Sequence, residues 1–167
     1  MRRIVVGVFG GLLAAMLAIG TVDTFVWLPE ATAPSIPLER IYAALGDSGD
    51  LLACIASPVI WFGFWAVLGT LFVTAQLPAH PAFRPMLLRP VSAAALGLLL
   101  LGGVGFFHWW SAFAMAMSVS DELPPGYGTI TPLGMVIVLG GLIAIAVGAL
   151  LGVAALVSRP RAAPALS

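Results

Sequence analysis

His108 is the residue in this chain most suited to chemistry, because an imidazole within an apolar run titrates near neutral pH and binds metals or cofactors. It stands in Phe106-Phe107-His108-Trp109-Trp110, with Met115 and Met117 following. Counted from Met117 it lies nine residues inside its run, roughly 13 Å at 1.5 Å per residue. Trp61 falls at a similar depth in the preceding run, with Trp65 one turn further. His108, Trp61, Trp65, Trp109 and Trp110 are therefore expected to share one layer.

Two readings of that layer stand side by side. In the first, His108 is an axial ligand or hydrogen-bond donor to a haem, a chlorophyll-type pigment or a quinone, and the tryptophans line the cofactor-binding site. In the second, two aromatic-rich helices pack together and His108 bonds a neighbouring backbone or hydroxyl group. A bis-histidine haem within one chain is excluded, because the other histidine, His80, lies between apolar runs. A copper(I) site with Met115 is excluded too: seven residues keep both on one face but separate them by about 10 Å.

Asp23 is the second candidate. It stands five residues from the end of its run at Leu28, where it either reaches water or serves an ion path, for protons or cations, beside Asp47 or Asp50. No further carboxylate, Lys or Arg is placed deeply enough to continue a relay. Pro125-Gly126-Tyr127-Gly128-Thr129 shares Gly-Tyr-Gly with potassium filters but lacks a pore helix before it, and reads as a turn. The sequence contains no phosphate loop, dinucleotide-binding glycine pattern, HExxH or CxxC, so catalytic and metal-site assignments are none.

The elements that position these residues are written in the composition. Of 167 residues, 61% are hydrophobic and 8% charged, with a mean hydropathy of +1.11. Soluble domains carry roughly 25% charged residues, so an ordinary cytosolic enzyme, a nucleic-acid binder and a disordered tail are all excluded. The single cysteine, Cys54, excludes a disulfide framework within the chain. Four apolar runs, about 4–28, 51–77, 91–117 and 132–157, each reach the roughly 20 residues needed to cross a bilayer. Ala18-Ile19-Gly20 resembles a signal-peptide cleavage site, but the first run continues to Leu28, longer than a signal core, and is expected to remain as a span.

Charge placement sets orientation. Six of the seven arginines (Arg2, Arg3, Arg84, Arg89, Arg159 and Arg161) flank the runs on one side, and all seven acids, with Arg40, fall on the other. Arginine-bearing short loops stay cytoplasmic, so both termini are expected inside, in the inner membrane of the cell. The expected fold is an all-α, polytopic, antiparallel four-transmembrane-helix bundle forming one membrane domain. A short interfacial helix over 38–45, ended by Gly46, is expected to lie apolar side down in the first outer loop. Ser48 and Thr131 are expected as helix caps, the four-proline segment from Pro78 to Pro90 as an extended loop, and Pro58 as a kink.

Small residues every fourth position allow close helix contact in lipid. They occur as Gly140, Ala144, Gly148 and Gly152, and as Gly7, Gly11 and Ala15, and are expected to pack within the bundle. With little polarity inside the membrane, the chain is expected to be an accessory or assembly subunit of a larger membrane complex, of electron-transfer or light-harvesting type, with the lipid bilayer and other membrane subunits as partners. The alternatives are a homo-oligomeric transporter or channel subunit, and a membrane redox enzyme using a cofactor at His108.

Overall fold

In the computed structural model, residues 1–76, 88–123 and 130–158 are described, and those residues are all-helical or connecting, without strands. The helices are α1 (Arg2–Val22), a π-helical turn (Asp23–Trp27), α2 (Leu28–Thr32), α3 (Leu38–Ser48), α4 (Leu51–Gln76), α5 (Pro90–Glu122) and α6 (Pro132–Val157). Four helical stretches, Arg2–Thr32, Leu51–Gln76, Pro90–Glu122 and Pro132–Val157, are long and apolar enough to cross a membrane. The proline-rich segment over 78–87, the Gly-Tyr-Gly turn, His80, Arg84, Arg159 and Arg161 lie outside the described residues.

Local sequence explains the boundaries. Pro90 and Pro132 sit in the first turns of α5 and α6, where a missing N–H costs nothing. Thr131 accepts a 2.8 Å hydrogen bond from the Gly134 amide and caps α6, as expected. α4 runs through Pro58 without interruption. The expected ending of the third helix at Gly46 is corrected: α3 continues to Ser48 and stops at Gly49, whose φ of 89° suits a residue without a Cβ.

Two expected spans prove longer. The first continues through the π turn to Thr32, and the third extends to Glu122 rather than 117. That extra length creates a second core at the acid-bearing end, where Leu28, Cys54, Met115 and Val119 close around Ile41 and Leu45. Both α3 residues are 0% exposed. The interfacial-helix expectation is corrected accordingly, since α3 turns its apolar side onto protein instead of lipid. The other core gathers Leu13, Leu17, Trp61, Trp65, Leu101 and Val104.

The glycine stripes are also corrected. An added Cβ at Gly7, Gly11, Gly140 or Gly152 would meet nothing within 4 Å, so these glycines make no close contact within the chain. The tight crossing is between α5 and α6 and uses Gly102, Gly105 and Gly141: a Cβ on Gly141 would come within 2.8 Å of the Phe106 amide and 2.9 Å of the Gly102 carbonyl. Gly148 does join this contact, 3.0 Å from the Ala95 carbonyl by the same measure, whereas Ala144 is half-buried. Every-fourth spacing alone did not decide which helix face would meet a partner.

Candidate functional site

His108 and Asp23 meet. The imidazole Nε2 lies 2.9 Å from Asp23 Oδ2, and the two residues are 1% and 2% exposed. The Thr131 hydroxyl donates to the other carboxylate oxygen, Oδ1, while its own oxygen receives the Gly134 amide. Trp61 lays its ring against the imidazole at a centroid distance of 5.4 Å and donates its indole N–H to the Val104 carbonyl at 3.2 Å. Each of the four long helical stretches thus contributes a side chain: Asp23 from the first, Trp61 from the second, His108 from the third and Thr131 from the cap of the fourth.

Local features hold these groups in place. Asp23 opens the π turn, a rare geometry that carries one extra residue per turn and is frequent at functional sites. Just beyond it, Pro29 has no N–H to return to the Phe25 carbonyl, and the Tyr42 hydroxyl donates there at 2.8 Å. That bond ties α3 to the π turn. Burial pushes the Tyr42 hydroxyl up to about 12, with the neighbouring Cys54 thiolate adding to the effect. Gly20 makes room for the ring pair, since a Cβ there would stand 2.8 Å from Trp61 and 3.2 Å from His108 Nδ1.

The expected layer is only partly assembled. Trp65 is buried against Phe107, with ring centroids 6.1 Å apart. Trp109 and Trp110 form a surface group with Phe113, and Trp110 is 56% exposed. Of the four tryptophans, Trp61 alone has a ring contact with His108 among the described residues. Asp23 takes His108 and Thr131 as its partners, where the sequence suggested Asp47 or Asp50.

The cofactor reading does not fit this geometry. Nε2 is taken up by Asp23, and Nδ1 faces the α1 backbone at Gly20. The cavity beside the pair, lined by Asp23, His108, Trp109 and Thr131, holds about 90 Å³. Ligand cavities run from roughly 300 to 1,000 Å³, so a planar haem, pigment or quinone has no space there, and Nδ1 is packed against the backbone. A few water molecules match that volume. His108 Nδ1 and the Thr24 hydroxyl are buried without a hydrogen-bond partner among the described residues. Those residues also include no group of three His, Cys, Asp or Glu side chains able to hold a metal ion.

Comparison with protein-family models, curated proteins and solved structures found no match, so the geometry above carries the functional argument by itself.

Proposed function

We propose that this chain is a non-enzymatic accessory subunit of a larger membrane complex, built as an antiparallel four-helix bundle with both termini cytoplasmic in the inner membrane. The observation that carries the reading is where the polar side chains of the spans go. Asp23, His108 and Thr131 are used on one another, while Thr21, Thr70, Thr74, Ser111 and Ser120 donate to carbonyls of their own helices. Catalysis needs polar groups that converge on a substrate, and here they converge on the protein.

The network serves as a clamp. Twenty residues separate Arg3 from Asp23, and nineteen separate Arg89 from His108, a rise of about 30 Å in each case. That equals the hydrocarbon thickness, so arginines in one headgroup layer put the clamp at the opposite boundary. Trp109, Trp110 and Phe113 then form part of an interfacial aromatic belt, a surface suited to a neighbouring subunit. α2, α3 and the last turns of α5 cap the bundle outside.

A second reading, a homo-oligomeric transporter using Asp23, draws on the 90 Å³ cavity beside the carboxylate. Reconstitution separates the two. The accessory reading expects purified chain in proteoliposomes to give no proton or cation flux above that of empty vesicles. Flux abolished by Asp23→Asn would replace it with the transporter reading.

A further inference from the structure

We propose that the groove between α1 and α4 binds one acyl chain of an anionic phospholipid whose phosphate is held by Arg2 and Arg3. The groove has a volume of about 630 Å³, and its lining includes Gly7, Gly11, Ala14, Phe62 and Thr70. It arises from the small side chains of α1. Gly10 brings Val73 close, a Cβ there meeting it at 2.9 Å, whereas Gly7 and Gly11 next to it leave open space.

Depth and charge identify the occupant. Along α1 the lining runs from Val6 to Ala18, about 18 Å of rise, against about 15 Å for half of a 30 Å hydrocarbon core. The groove therefore matches the acyl region of one leaflet. Arg2 and Arg3 lie four residues before Val6 and Gly7, one turn on and over the same face, at the end where a headgroup sits. Arg2 Nε is buried and has no hydrogen-bond partner among the described residues. A phosphate accepts from guanidinium groups in fork geometry and matches their charge.

The lining hydroxyls do not compete for a polar ligand, because Thr70 and Thr74 donate back to the Ala66 and Thr70 carbonyls. Lipid tails are as apolar as the groove, so the headgroup contact sets the preference and the groove sets where the chain lies. A helix from a second copy is the competing occupant, and it would leave the Arg2 donor unanswered.

The test uses full-length protein reconstituted into vesicles of equal phosphatidylglycerol and phosphatidylcholine, then extracted in mild detergent, with retained lipids counted by mass spectrometry. Phosphatidylglycerol is expected to be enriched roughly fivefold, falling to parity in the double variant Arg2→Ala/Arg3→Ala. Gly7→Leu/Gly11→Leu fills the groove without touching internal packing, and is expected to reduce total retained lipid with both arginines present. Absence of enrichment, or enrichment unchanged in the arginine variant, overturns the proposal. Disulfide cross-linking of Gly11→Cys between two copies overturns it as well, by assigning the groove to a second chain.

Discussion

His108 and Asp23, 85 residues apart in sequence, share a 2.9 Å contact through Nε2 and Oδ2 with almost no exposure to solvent. Removing one member of a buried hydrogen-bonded pair leaves the other unsatisfied, at a cost of about 1–3 kcal/mol. His108→Ala is therefore expected to lower stability by that order in a detergent melt. Asp23→Asn, which keeps an acceptor oxygen and the volume, should cost less than Asp23→Ala. A double-mutant cycle of the alanine variants should show a coupling of about 1–3 kcal/mol, and additive losses would mean that the contact does not clamp the helices.

Thr131 has two tasks, capping α6 through Gly134 and donating to Asp23. Thr131→Ser retains both groups and should leave the melting temperature nearly unchanged. Thr131→Val removes both, with an expected loss of about 1–2 kcal/mol from the cap alone. Equal melting of the serine and valine variants would contradict this double role.

The four long apolar helices were legible because twenty-residue apolar runs have few other uses, and the cap at Thr131 was readable from Thr-Pro at the start of a run. The acid-bearing end was less so. α3 has the amphipathic pattern of a surface helix, and the pattern is the same whether lipid or protein covers it. What decides is the extension of α5 to Glu122, through Ser118, Ser120 and Asp121, residues that look like loop by hydropathy. The site was legible as separate residues only. Asp23, His108 and Thr131 were each singled out, but their meeting depends on helix registry, which the π turn and the lengths of α1 and α5 set.

Neighbouring glycines on α6 give a direct check on that registry. Gly141 is pressed onto the α5 backbone and Gly140 faces open space. Gly141→Leu is expected to destabilise the protein by several kcal/mol through overpacking that the backbone cannot relieve, whereas Gly140→Leu should be tolerated. Reversal of that order in a thermal melt would show that another face of α6 meets α5.

Tyr42 gives the alkaline prediction. Its hydroxyl is raised from 10.0 to about 12 by burial first and the Cys54 thiolate second. A raised folded value means that stability is full below pH 10 and is lost as pH climbs from 10 towards 12, where the unfolded state has released its proton and the folded state still holds it. The melting temperature in detergent should fall across that window. Tyr42→Phe should remove that pH dependence, and should cost about 1 kcal/mol at neutral pH for the lost bond to Phe25.

The central claim, that the chain works through partners rather than chemistry of its own, is tested most directly by the composition of the particle extracted from native membranes under mild detergent. The expected particle is a complex in which this chain and other membrane subunits occur in fixed stoichiometry, with a mass well above that of its own oligomers. A particle containing only copies of this chain would contradict it.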